Sequence, residues 1–387
     1  MKLFRFLLLL TLVSTVHLCD ATSLFRAYPA LKETVPHVSL CSPSTPVRKL
    51  SLFASWPEAP EIYVKDDNWS TSTFAGNKPR KLEFLLADAK AKGCAHIVTS
   101  GSTGSNFGCA TAVFAKKLGF ASCTCIYSPQ INTKYLQRNA LWATLAGAQF
   151  VFCKDRDERQ EQCEKALTCA SSRRTKTYYI PSGGSNALGS LGFVNAAFEL
   201  KAQIDAGTLP APDEIFLTFG SGGSVSGLLL GLKAAGLPCR VITTCVVSDP
   251  DKTAYDDIKK LFDQTNDLLQ DSDPSFPRFA LTREDVTVDH DHYYGEYAQM
   301  NEQESRAISY LHALDGIKTD GTYAGKTLVT LFHWIPRLAG KKILFWNTFC
   351  SGNPMEQFYD KYTTLLAPEW HPYFDGTIPL QTLDQGL

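Results

Sequence analysis

An excess of charge of either sign is missing from this sequence. Its 38 lysines and arginines nearly match 39 aspartates and glutamates, for a formal net charge of −1 over 387 residues. Such a chain has no basic field for nucleic acid and no acidic tail, so no nucleic-acid partner is expected. Long apolar runs are absent after the first twenty-odd residues, and nothing beyond them is expected to span a bilayer. Metal-ligand spacing is wanting too. Cys123 and Cys125 leave a one-residue gap with no partnering pair, so no metal is expected. Nor do the twelve cysteines form a disulfide framework. Cys109, Cys123, Cys125 and Cys245 lie in apolar runs, where a free thiol behaves as a small buried hydrophobe. Mostly free thiols are expected, with Cys153, Cys163 and Cys169 the pairing candidates in an oxidising compartment.

The first residues stand apart. Met1 to Arg5 is a short basic start, "FLLLLTLVSTV" an apolar run, and "LCDATS" a set of small residues suited to cleavage after Ala21. That is the pattern of a secretory signal peptide over residues 1–21, too short for a comfortable span. A secretory-pathway or secreted protein is expected. A retained anchor and a bipartite organelle leader are the alternatives. One glycosylation sequon, Asn68-Trp69-Ser70, fits secretion.

From about Ile62 the pattern alternates. "EIYVK", "AHIVTS", "ASCTCIY", "AQFVF", "YYI", "EIFLTF" and "RVITTCVV" read as strands. Between them run helical patterns, among them Pro79 to Lys92 with Leu82, Leu85, Leu86 and Ala89 on one face. Pro79 suits the first helical position and Gly93 the stop. Another helix is expected from about Glu158 to Ala170. Strand, glycine-rich loop and helix in repeated succession mean parallel sheets with helices on their faces, and ligands at the carboxyl ends of the strands. Asp249 to Asp289 reads as a polar, irregular surface insertion, and the residues after Pro368 as an aperiodic tail.

Three loops lie between an expected strand and an expected helix: "SGSTGSN", "PSGGSN" and "GSGGSVSG". Glycines let backbone N–H groups close on an anion at a helix N-terminus. "GSGGSVSG" is the best phosphate cradle, though it has neither a P-loop ending nor dinucleotide spacing. Lys78, Arg80 and Lys81 crowd another helix start. The helix end and the two neighbouring cations disfavour the ammonium of Lys81, and a neutral amine is what Schiff-base chemistry requires. A phosphate cradle with an activated lysine points to pyridoxal phosphate. A solvated basic helix start remains the alternative.

"GNKPRKLEFLLADAKAKG" resembles the lysine motif of the D-cysteine desulfhydrase and aminocyclopropane-carboxylate deaminase family, pyridoxal-phosphate enzymes of the tryptophan-synthase-β fold (fold type II). The resemblance continues in order through "GSTGSNFGCATAVFAKKLG", "YYIPSGGSNALGSLGFVNAAFEL", "GSGGSVSGLLLGL" and "TDGTYAGKTL", over roughly residues 44–353. It implies an α/β chain of two interleaved open parallel-sheet domains. The large cofactor-binding domain would be discontinuous over 30–86 and 186–366, the small domain 87–185, and the tail 367–387. It implies that Lys81 carries the link to the cofactor and that Asn106 meets the ring hydroxyl. Ser105 would hold the substrate carboxylate and assist proton transfer, while Ser221, Gly222, Gly223 and Ser224 bind the phosphate. Tyr294 and Tyr323 would flank the substrate, and Thr348 meet the pyridine nitrogen. Four departures from the family pattern stand out: Phe107 for histidine or glutamine, Ala324 for the deaminase glutamate, Phe349 near the pyridine nitrogen, and no arginine in "VKDDNW". The activity implied is β-elimination from D-cysteine to pyruvate, ammonia and hydrogen sulfide. The alternatives are deamination of the cyclopropane amino acid, β-elimination from another small amino acid, and a non-catalytic secreted cofactor-binding protein. A homodimer is implied as well.

Overall fold

The computed structural model describes residues 22–52, 59–170 and 176–383. The expected leader, residues 1–21, lies outside them. Apolar runs bounded by glycine or polar turns become strands, and "EIFLTF" is buried at every position. In chain order the strands are β1 (Val47–Lys49), β2 (Glu61–Asp66), β3 (His96–Ser102), β4 (Ser122–Ser128), β5 (Ala148–Phe152), β6 (Thr177–Ile180), β7 (Glu214–Phe219), β8 (Arg240–Cys245), β9 (Val286–Asp289) and β10 (Lys342–Asn347). Six of them form one sheet in the order β1-β2-β10-β7-β8-β9, and four a second in the order β5-β4-β3-β6. Every neighbouring pair is parallel except β1 with β2. The second sheet is built wholly from chain lying between β2 and β7 of the first.

The helix Lys78–Ala91 runs between the two cores. Leu82, Leu85, Leu86 and Ala89 pack with the residues under the four-stranded sheet, while Phe84 packs with those of the six-stranded one. Pro79 stands in its first turn and Gly93, at φ +65°, follows its end. It is pressed against the helix Ala187–Asp205 so closely that a Cβ on Gly192 would lie 2.2 Å from the Arg80 carbonyl oxygen. Only glycine permits that approach.

Three sequence expectations need correction. Asp249 to Asp289 is not an irregular insertion. It holds the 19-residue helix Ala254–Ser272, whose Ile258, Phe262, Thr265 and Leu269 are buried, and then β9. One narrow apolar stripe among many charges made it look polar. Nor is the segment after Pro368 a loose tail. Trp370 is fully buried against Phe150 and Phe152, at 5.2 and 5.1 Å between centroids, and Asn132 Nδ2 donates to the carbonyls of Tyr373 and Ile378. Single aromatic anchors hold this segment, and anchors leave no period to read. The sequon asparagine is not an open acceptor. Asn68 Nδ2 donates to the Lys318 carbonyl at 3.2 Å and its Oδ1 accepts from Ser351 N at 2.7 Å.

The ten described cysteines are free, as expected. Cys153 and Cys163 are buried together beside Ile126, and the side chain of Cys169 lies outside the described residues. Among the described residues no helix is long and apolar enough to cross a membrane.

Candidate active site

The loops leaving the carboxyl ends of β3, β4, β6, β7 and β10 enclose a cavity of about 380 Å³, a size suited to a small ligand. Lys81, Ser105, Asn106, Ser221, Gly222, Ser224, Tyr323 and Thr348 all line it. Residues spread over more than 260 positions of sequence thus meet where a parallel sheet is expected to bind its ligand. Gly223 stands directly behind the wall. Tyr294 does not reach the cavity.

Lys81 is 2 % exposed, and its Nζ donates to the Gly183 carbonyl at 3.0 Å and to Ser185 Oγ at 3.2 Å. Burial, and after it the Lys78 charge, hold its amine well below the ordinary lysine range. Arg80, expected to share in this, does not. Its guanidinium turns to the other side of the helix and is held by Asp67 and Glu199, at 2.7 and 2.6 Å. Lys78 is itself lowered to about 8 by burial, against the opposing pull of Asp320. Its Nζ sits 5.3 Å from the centroid of the Tyr323 ring.

The "GSGGSVSG" loop turns at Gly222, φ +83°, and its helix starts at Gly223. In that first turn the Gly223 N–H is taken by Ser185, and those of Ser224 and Val225 are left as a ready anion site. A Cβ on Gly223 would lie 2.9 Å from Lys81 Nζ and 2.8 Å from Ser185 Oγ. Glycine here is what brings cradle and amine together. Ser185 Oγ accepts from Gly223 N at 3.1 Å and shares a 2.7 Å hydrogen bond with Ser221 Oγ. Ser224 Oγ accepts from Asn77 Nδ2 at 3.3 Å.

Ser105 caps the helix Asn106–Lys117, its Oγ accepting from Gly108 N at 3.1 Å. Asn106 Oδ1 accepts from Asn139 Nδ2 at 2.8 Å and from Arg138 Nη2 at 3.2 Å, which leaves its own amide free to donate into the cavity. Fully buried Arg138 also holds the carbonyls of Cys350 and Gly352, tying the Asn106 helix to the loop after β10.

Two aromatic assignments change. Tyr294 takes a left-handed conformation, φ +63°, so that its ring lies edge-on to His292 and 4.8 Å from Lys326 Nζ. Tyr297 enters the cavity instead, with its hydroxyl against that of Tyr323. Tyr323 is set by Asp320, whose Oδ1 accepts from its N–H at 2.7 Å. Phe349 does not crowd the expected ring site either. It points out of the cavity to meet the Tyr135 ring at 5.3 Å, and Cys350 lines the wall with Thr348. Phe107 lines the cavity where the sequence put it. Sequence reasoning missed Asn77, Arg138, Ser185, Tyr297 and Asp320. Arg138, a cation inside the apolar pattern of "YLQRNALW", and Ser185, within the "PSGGSN" loop, carried a signal.

The family described as pyridoxal-phosphate dependent enzyme matches residues 38–348. The chain belongs to that family. It is 32% identical over 301 residues to the D-cysteine desulfhydrase of Serratia proteamaculans, covering 76% of this chain and 87% of that one. Identity to the D-cysteine desulfhydrase of Yersinia enterocolitica is also 32%, over 302 residues and the same shares. A solved ACC deaminase homologue aligns with a TM-score of 0.73 at 27% identity, covering 90% of this chain and 100% of its own. The fold expected from the motifs, two open parallel α/β sheets of the fold-type II kind, is borne out. Membership of an enzyme family leaves the non-catalytic alternative without support.

The residues of this pyridoxal-phosphate enzyme fit their cofactor. An aldehyde needs an amine that gives up its proton readily, and a phosphate needs free N–H groups; Lys81, held well below the ordinary lysine range, and the turn after Gly223 lie within one close contact.

Proposed function

We propose that the protein is a lyase that removes the β-substituent of a small amino acid, with D-cysteine as the first substrate. The products are pyruvate, ammonia and hydrogen sulfide. The observation that carries this reading is Lys81, a buried amine held well below the ordinary lysine range beside a phosphate cradle. The relatives named D-cysteine desulfhydrase supply the reaction and the substrate. When bound, the cofactor supplies the electron sink that makes the substrate Cα–H acidic.

The N–H groups around Gly222, Gly223 and Ser224, with the Ser221 hydroxyl, would hold the phosphate. Asn106 would donate to the ring hydroxyl and Thr348 would meet the ring nitrogen. Lys81 would take the substrate Cα proton on Nζ. Ser105 holds the substrate carboxylate. Tyr297 and Tyr323 pass a proton to the departing sulfur, with Tyr297 standing in for the Tyr294 expected from sequence. The Cα–H electrons become the Cα=Cβ bond and the Cβ–S electrons leave with sulfur. Water then hydrolyses the unsaturated amine to pyruvate and ammonia. Deamination of the cyclopropane amino acid keeps the support of similarity to the ACC deaminase homologue and to the putative 1-aminocyclopropane-1-carboxylate deaminase of Pyrococcus abyssi. Against it stands Ala324, a buried residue with no acid function.

The test is the visible spectrum of wild type and Lys81→Ala, reconstituted with cofactor, with and without D-cysteine, alongside pyruvate and sulfide assays. A band that shifts with D-cysteine in wild type alone, with both products formed, is the expected result. A band indifferent to D-cysteine, with no sulfide, overturns the substrate; no band at all overturns the lyase. We further propose a homodimer, on the family resemblance, and entry to the secretory pathway, on the leader sequence. Light scattering of the purified protein and N-terminal sequencing of exported protein test these two.

A further inference from the structure

Two arginines at the cavity mouth have no part in the chemistry above. Arg156 and Arg159 stand in the first turn of the helix Arg156–Ala170, and both line the cavity. Three residues apart, they share one helix face. Cations at that end oppose the helix dipole. Among the described residues neither guanidinium has a carboxylate partner, and the one hydrogen bond between them runs from Arg159 Nη1 to Ser128 Oγ at 2.9 Å.

Of the acids nearest in sequence, Asp155 Oδ1 accepts from Glu158 N at 2.8 Å and Glu158 Oε2 from Lys154 N at 2.7 Å, while exposed Asp157, in the same first turn, forms no ion pair with either arginine. Glu296, also at the mouth, is exposed and forms no ion pair with either arginine. Burial, and then the Arg156 charge, push the Arg159 guanidinium below its ordinary value. The wall beside them is made of neutral hydrogen-bonding groups: Ser102, Ser128, Gln130 and Tyr297. Two like charges at the cavity, one exposed and one half-buried, with neutral donors around them, are stabilised by an oxyanion that takes both forks.

We propose that Arg156 and Arg159 form an anion subsite that selects amino acids carrying a second acidic group, carboxylate, sulfonate or phosphate, on the β-substituent. This rests on the lyase reading for the orientation of the substrate, whose α-carboxylate goes to the Ser105 loop. D-cysteine then reacts while leaving the subsite empty, and a β-substituted alanine with an acidic leaving group fills it.

The probes are O-phosphoserine and serine, both enantiomers of each. Each is titrated calorimetrically into the full-length, cofactor-loaded chain in the Lys81→Ala background, which prevents turnover, with and without Arg156→Gln/Arg159→Gln. One enantiomer of O-phosphoserine is expected to bind at least tenfold tighter than serine. The double substitution should erase that advantage and leave serine within threefold. Equal binding of the two probes, or an equal loss of both on substitution, overturns the subsite. Pyruvate release with Lys81 intact separates the two readings. If no amino acid yields pyruvate while the phosphoserine preference and its loss persist, the lyase reading falls and the subsite stands. If D-cysteine yields pyruvate without any phosphoserine preference, the subsite falls and the lyase stands.

Discussion

Replacing Glu199 by glutamine removes one anion from a buried network of two cations and two anions behind the catalytic helix. Arg80 Nη1 donates to Glu199 Oε2 at 2.6 Å and Lys65 Nζ to Glu199 Oε1 at 2.5 Å. Asp67 takes the other edge of the guanidinium and also accepts from Trp346 Nε1. Burial by itself would raise the Glu199 carboxyl, but Arg80 and Lys65 outweigh it and hold it at about 2 against an ordinary 4.5. At about 1.4 kcal/mol per pH unit, that gap is worth about 3 kcal/mol of stability at neutral pH. Because the folded value lies below the unfolded one, the contribution is complete above about 4.5 and disappears as pH falls towards about 2. With an unfolding entropy of about 2 cal/mol/K per residue over 387 residues, Glu199→Gln should lower Tm by about 4 °C at pH 7. Scanning calorimetry at pH 7 and near pH 3 measures it, and the difference from wild type should shrink to less than half at the lower pH. A Tm unchanged at pH 7, or a loss equal at both pH values, would refute the reasoning.

Other substitutions test the site itself. Tyr297→Phe should cut the rate of pyruvate release about a hundredfold or more, as expected for loss of a proton donor, while Tyr294→Phe stays within threefold. The opposite ranking would restore the sequence-based assignment. Lys78→Met removes a cation that depresses Lys81 at pH below about 8. The pH at which the cofactor-free protein takes up added cofactor, followed spectrally, should therefore move higher, and a midpoint that stays put would mean burial alone sets the amine. Gly223→Ala should weaken cofactor binding at least tenfold in a spectral titration, because its Cβ would sit 2.9 Å from Lys81 Nζ. Trp370→Ala should cost about 3–5 kcal/mol in urea unfolding, since the indole is fully buried under the four-stranded sheet. A cost below about 1 kcal/mol would return the C-terminal segment to the status of a tail.

The alternation of apolar strands and glycine loops was legible because a strand buried on both faces has no choice of composition, and because a backbone that approaches a ligand needs glycine. The "GSGGSVSG" turn followed from that logic, Lys81 from the crowding of cations at a helix start, and Ser105 and Asn106 from the family resemblance. What lay outside it depended on partners far away in sequence. Arg80 could not be seen to be discharged, because Glu199 lies 119 positions on. "HYYGEY" offers three tyrosines, and no hydrophobic period chooses among them. The choice is made by the backbone, where Tyr294 at φ +63° and Gly295 at +88° reverse the chain and turn Tyr297 inward. Phe349 is drawn away by the Tyr135 ring, a partner more than 200 positions earlier.

The same rule of helix electrostatics bears on two places in this chain, and burial decides what each becomes. Cations open the helix Lys78–Ala91 and the helix Arg156–Ala170 alike, against the dipole in both cases. Sequence alone starts the second helix at Glu158, which leaves Arg156 outside it and hides the parallel. At the first site the side chain that faces the cavity is a lysine sealed from water, so the conflict lowers its hold on the proton and favours a nucleophilic amine and a base. At the second the groups are arginines at a wet rim, and a guanidinium does not give up its proton in a protein. There Asp157 and Glu158 in the same turn offset the dipole, and what remains for the arginines is an anion from outside. Cationic helix starts therefore mark two different functions along one cavity, one that reacts and one that selects.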